Sequence, residues 1–122
     1  MKNLFSILGG FFGDSAGDNA ARIDAEGLRA IVEGSGQPFS LIDVRTPAEF
    51  REGHIPGAVS VPLASIEGAE GFPYRGSIVL YCAAGMRSAK ARELLSSRGV
   101  KDVVDLKGGI KSWIKSNGRV VR

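Results

Sequence analysis

The sequence predicts one α/β domain built around a parallel sheet, and three observations carry that expectation. The chain has 122 residues, 43% of them apolar and 24% charged, which suits a single core. Short apolar runs alternate with stretches of helical character, the order that puts helices on both faces of parallel strands. One run, "SIVLYC" (77–82), is apolar at nearly every position, as a strand buried on both faces must be.

The elements follow in chain order. "MKNLFSILGGFFG" (1–13) is apolar after one lysine. On a helix, Leu4, Leu8 and Phe11 would share a face with Phe12 beside them, as in a small docking or interfacial helix. Gly9 and Gly10 break the run and no small-residue cleavage site follows, so a tail or docking helix is preferred to an export signal. "DSAGDNAA" reads as a linker. The expected division is a terminal segment over residues 1–20 and a domain over 21–122.

Asp24 is a candidate N-cap for "AEGLRAIVEG", with Leu28, Ile31 and Val32 on one face and Gly34 as the stop. "FSLIDV" (39–44) is a strand, and "TPAEFREG" (46–53) opens a helix with Thr-Pro. "AVSVP" (58–62) is a second short strand. After "SIVLYC" comes "RSAKARELLSSRG", a helix with Ala91, Leu94 and Leu95 inward and Gly99 at its end. "DVVDL" (102–106) is another strand. "GGIKSWIKSNG" (108–118) is a last helix, with Ile110, Trp113 and Ile114 on one side.

Composition excludes several functions. One cysteine forbids an internal disulfide and the multi-cysteine zinc patterns, and one histidine, His54, leaves little for a metal. No metal or other cofactor is expected. A free thiol implies a reducing compartment, hence the cytoplasm; the periplasm follows only if residues 1–20 act as an export signal. No run approaches a membrane span. Charge is uneven: residues 1–70 carry 5 basic and 10 acidic groups, residues 71–122 carry 11 and 3. The positive part suits a small anion or is simply a solvated face. Nucleic acid is not expected as a partner, because the basic residues are spread out with few aromatics among them.

The cysteine stands where a strand passes into a helix, the end of a parallel sheet at which sites form. In "CAAGMRS" (82–88), Ala83, Ala84 and Gly85 are small enough for the backbone to curl, and successive N–H groups of such a turn can point into one concavity. The following helix adds its N-terminal partial charge and Arg87 a full one. All three favour the thiolate of Cys82. The plain alternative is a small apolar residue ending a buried strand. His54, in the turn "GHIPGA", suits hydrogen bonding within that turn better than acting as a base. The chemistry then needs no histidine, a condition met by a thiolate attacking another sulfur.

Three segments together resemble the rhodanese (thiosulfate sulfurtransferase) family in its single-domain form. "DVRTPAEFREGHIPGAVSVPL" (43–63) is similar to the family's first signature, "CAAGMRS" to its active loop and "GGIKSW" (108–113) to its closing Gly-Gly-x-x-x-Trp. Residues 22–34 fit its opening strand and helix. The resemblance implies a three-layer α/β/α domain with a mainly parallel five-stranded sheet. It implies transfer of a sulfane sulfur from thiosulfate, or a related persulfide donor, to cyanide or a thiol through a Cys82 persulfide. A protein thiol or persulfide is a further possible partner under it. The amides of Ala83, Ala84, Gly85, Met86, Arg87 and Ser88 would stabilise the persulfide and the sulfite, and Arg87 would hold the anion. The matches to Asp43, Arg45, Glu49 and His54 are expected to brace the fold, with an Arg45–Glu49 ion pair, and Trp113 to fill the core.

Two rivals share this architecture. A cysteine phosphatase or arsenate reductase resembles it in fold, but the phosphatase pattern is Cys-x5-Arg, and Arg87 is one position too close to Cys82. The smaller loop favours a sulfane sulfur over a tetrahedral phosphate. The other rival is a non-catalytic, regulatory docking module of the same family. Such modules often lack the loop cysteine, glycine or arginine, all of which this chain keeps.

Overall fold

The computed structural model describes residues 21–34, 37–68 and 72–122. The docking helix, linker and export signal considered for residues 1–20 lie outside the described residues.

Among the described residues ten elements alternate: β1 (Arg22–Ile23), α1 (Ala25–Gly34), β2 (Ser40–Asp43), α2 (Pro47–Glu52), β3 (Val59–Ser60), α3 (Leu63–Gly68), β4 (Ile78–Tyr81), α4 (Met86–Ser97), β5 (Val103–Leu106) and α5 (Gly109–Lys115). The strands form one sheet in the order β1-β5-β4-β2-β3, and every pairing is parallel. The expected α/β class and five-stranded sheet are what the molecule has. Helix α3 was not anticipated; "LASIEG" is too short to show helical periodicity, and only Ile66 of it is buried.

Local chemistry sets the ends of the helices. The Asp24 carboxylate accepts from the Gly27 amide at 2.7 Å, the cap expected for α1. Thr46 caps α2 through a reciprocal box: its hydroxyl accepts from the Glu49 amide, and the Glu49 carboxylate accepts from the Thr46 amide. Pro47 occupies the first turn, where its missing N–H costs nothing.

The strands bury both faces. Val79 and Tyr81 of β4 point into a cluster with Ile23, Leu28, Val104, Ile110 and Trp113, beneath α1 and α5. Ile78, Leu80 and Cys82 point the other way, with Ile66, Ala91 and Leu95 of α3 and α4. That alternation explains why "SIVLYC" is apolar at successive positions. Val32 and Ile114 lie at the margin of their helices' apolar stripes, 46% and 53% exposed. On α4, Ala91 and Leu95 are buried and Leu94 is half-buried against the same cluster, with Arg92 buried beside Ala91.

Topology positions the site. From β4 the chain leaves through α4 toward β5, and from β2 it leaves through α2 toward β3, on the other side. The two departures diverge between neighbouring strands, opening a crevice at their carboxyl ends. The segment starting at Cys82 lines one side of it and the start of α2 the other.

Candidate active site

Cys82 follows β4 directly and is 1% exposed. Its Sγ accepts the Gly85 amide at 3.1 Å and the Ser88 amide at 3.4 Å, and lies 3.5 Å from the Ser88 hydroxyl. The loop therefore closes on the sulfur as a ring of donors.

Two devices hold the ring. Gly85 takes φ +109°, and a Cβ there would meet Arg22 Nη2 at 2.8 Å and the Gly108 amide nitrogen at 3.2 Å, so only glycine fits. The Gly85 carbonyl, in the next peptide plane, accepts from Arg22 Nη2 at 3.0 Å, which ties the loop to β1. On the other side, the Ile110 amide donates to the Cys82 carbonyl at 2.9 Å and the Lys111 amide to the Ala83 carbonyl at 3.2 Å. The start of α5 thus occupies the loop's carbonyls, and Gly-Gly is needed because Gly109, with φ +65°, lies directly against the Cys82–Ala83 backbone.

Burial pushes the Cys82 thiol up, but the Ser88 hydroxyl and the amides of Ser88, Gly85 and Ala84 outweigh it, so the net shift is downward. Beneath the ring lies a buried charge cluster. Asp105, fully buried on β5, accepts from Arg22 Nη2 at 3.0 Å, Arg92 Nε at 2.8 Å and the Ser88 hydroxyl at 3.3 Å. Two guanidiniums against one carboxylate leave this cluster net positive, one hydroxyl away from the sulfur.

Arg87 does not point its fork at the sulfur. Its Nη1 and Nη2 donate to Glu49 Oε1 and Oε2 at 2.8 and 3.1 Å, across the crevice. Glu49 is brought down to about 2, chiefly by these hydrogen bonds; burial opposes the shift and the Thr46 contacts assist it. Arg87 is raised, first by the same carboxylate. This corrects the expected Arg45–Glu49 pair. Arg45 instead grips Asp43, Nη2 to Oδ2 at 2.7 Å, and donates to the Gly53 carbonyl at 2.7 Å. Asp43 is two residues from Arg45 and wholly buried, so it wins the guanidinium while the capping box turns Glu49 toward Arg87.

His54 serves its own turn. Its Nδ1 is 2.9 Å from the Phe50 carbonyl, its ring stacks on Phe50 with centroids 3.8 Å apart, and its backbone bridges to Val121. Trp113 is buried under α5 and donates to the Arg119 carbonyl at 2.8 Å.

Of the residues singled out from the sequence, Cys82, Ala84, Gly85 and Ser88 converge on the sulfur. Ala83 contributes its carbonyl to α5, and Met86 starts α4 with its side chain 85% exposed. Sequence reasoning missed Arg22, Asp105, Arg92 and the site role of Glu49. Signals existed: an aspartate inside the strand "DVVDL", an arginine four positions after Ser88 on a helix face, and the Thr46-x-x-Glu49 box. Among the described residues, no group of three or more His, Cys, Asp or Glu is placed to hold a metal ion. None of their helices is long and apolar enough to cross a membrane. Chemically, the arrangement offers a buried thiol inside a ring of N–H donors that favour its thiolate form, suited to carrying a small anionic group on sulfur.

Known proteins share this arrangement of sequence. The profile of the rhodanese-like domain matches residues 24–116. The chain is 37% identical over 95 residues to a sulfurtransferase of Allochromatium vinosum, covering 76% of this chain and 87% of that one. It is 43% identical over 84 residues to the probable adenylyltransferase/sulfurtransferase MoeZ of Mycobacterium tuberculosis, covering 66% of this chain. That match spans only 21% of MoeZ. Among solved structures, a rhodanese-related protein from Thermoplasma volcanium superposes with a TM-score of 0.72 at 33% identity, covering 82% of this chain and 96% of that one.

Proposed function

The chain belongs to the rhodanese-like domain family, and from that premise we propose that it transfers sulfane sulfur through a persulfide on Cys82, with thiosulfate as a competent donor. The observation that carries this reading is the ring of donors on Sγ: the Gly85 and Ser88 amides at 3.1 and 3.4 Å, with the Ser88 hydroxyl beside them.

The reaction has two displacements. The Cys82 thiolate attacks the outer sulfur of thiosulfate. A new S–S bond forms at Sγ, the S–S bond of thiosulfate breaks, and sulfite leaves with the bonding pair. The terminal sulfur of the persulfide carries the charge that Sγ held, so the same amides serve it. A cyanide ion or a thiolate then attacks that terminal sulfur, forming thiocyanate or a new persulfide, and Cys82 departs as thiolate. No proton must move in either step, which agrees with a site whose one histidine is engaged with Phe50.

The test is thiocyanate formation from thiosulfate and cyanide by the wild type and by Cys82→Ser. The expected result is turnover in the wild type and nearly none in a normally folded variant, since serine neither attacks sulfur here nor holds a persulfide. Cys82-dependent hydrolysis of an aryl phosphate faster than sulfur transfer would instead make the protein a phosphatase. Failure of both reactions would leave a docking module of the same fold.

A further inference from the structure

Arg87 is the cation closest in sequence to the nucleophile and the natural partner for an anionic donor, yet both of its terminal nitrogens are spent on Glu49. The pair is bidentate and each side chain is about a third exposed, so it stands at the mouth of the site. The capping box fixes Glu49 from behind: the Thr46 amide and hydroxyl both reach its Oε1, at 3.0 and 3.1 Å. Glu49 therefore does not swing freely with Arg87.

We propose that Glu49 is a specificity-determining residue: by neutralising Arg87 at the mouth, it makes the site discriminate against highly charged sulfur donors in favour of donors with little charge near the reacting sulfur, such as the protonated persulfide of a thiol. The inference rests on the reading of Cys82 as the thiolate nucleophile. A dianion approaching that thiolate meets a second negative charge on Glu49, and to use Arg87 it must compete with a carboxylate already gripping both nitrogens. A persulfide in its protonated form meets neither obstacle. Cys82 attacks its outer sulfur, the S–S bond breaks, the outer sulfur keeps its proton as it joins Sγ, and the donor leaves as a thiolate. On this account thiosulfate is accepted, but Glu49 holds its use below what Arg87 alone would allow.

The experiment separates this charge effect from sulfur transfer. Cys82 is the only cysteine of the chain, so alkylation reports on it alone. Iodoacetamide is neutral and iodoacetate carries one negative charge; both consume the same thiolate, so the ratio of their rates is independent of how much thiolate is present. Glu49→Gln removes the charge and keeps a side chain able to complete the capping box. It should raise the iodoacetate/iodoacetamide ratio at least about 3-fold at low salt, and the gain should vanish near 1 M salt, where the Debye length is about 3 Å. Its kcat/KM for thiosulfate should rise in parallel. If Glu49→Gln does not fold, Glu49→Ala must move the ratio in the same direction. An unchanged or lowered ratio in a folded variant overturns the proposal and leaves Glu49 a brace. A raised ratio without thiosulfate turnover in either protein keeps the charge discrimination and sinks the reading of thiosulfate as a competent donor alone.

Discussion

Gly109 lies so close to Ala83 that a methyl group on it would sit 2.5 Å from the Ala83 carbonyl carbon and oxygen. The contact joins the closing Gly-Gly segment to the active loop, with two amides of α5 bonded to the loop's carbonyls. We predict that Gly109→Ala, at φ +65°, pushes the loop off α5 and costs about 1–3 kcal/mol of stability. Sulfur transfer should fall at least about 10-fold even where the protein remains folded. Thermal melting and thiocyanate formation, measured together, check this; a variant with wild-type turnover would mean that α5 does not set the ring.

Removing the Ser88 hydroxyl acts on the thiol itself. The hydroxyl is the strongest of the contacts that lower the Cys82 pKa against burial. Ser88→Ala should therefore move the pH profile of iodoacetamide alkylation to higher pH, with the alkaline plateau little changed. Stability should drop by about 1–3 kcal/mol, because the same buried hydroxyl also donates to the Asp105 carboxylate. A profile that stays in place would assign the thiolate's stabilisation to the backbone amides alone.

The buried cluster on β5 is where charge and stability meet. Asp105→Asn leaves Arg22 and Arg92 facing each other without their carboxylate, at a cost of about 3–5 kcal/mol. Arg92→Met should cost less, because Asp105 keeps Arg22 and the Ser88 hydroxyl. Urea denaturation of the two variants gives the order; equal losses would contradict the cluster's arrangement.

Glu49 links stability to pH. Its pKa falls from the ordinary 4.5 to about 2 in the folded state, so its contribution is complete above 4.5 and is lost as pH falls toward 2. We predict that wild type melts above Glu49→Gln at neutral pH and that the gap closes over that acid window. A gap independent of pH down to 2 would show that the ion pair contributes nothing.

Much of this was legible in the residues, for reasons that differ by element. The run "SIVLYC" announced a strand buried on both faces because both clusters claim its side chains. "CAAGMRS" announced a curled loop because only small residues permit the ring. The Arg87–Glu49 pair was not legible: the two residues stand 38 positions apart, and their meeting depends on β2 and β4 being neighbours. Asp43 and Arg45 are close enough in sequence to pair locally, which freed Glu49 for the crevice. Asp105 and Arg92 break the apolar pattern of their elements, and only the packing of α4 on β5 makes them partners.

The central claim is that Cys82 carries the transferred sulfur. Intact-protein mass spectrometry after exposure to thiosulfate, without an acceptor, tests it most directly. The account predicts a gain of one sulfur atom per chain, localised to Cys82, reversed by cyanide and absent in Cys82→Ser. An unchanged mass in protein whose Cys82 still reacts with iodoacetamide would contradict it.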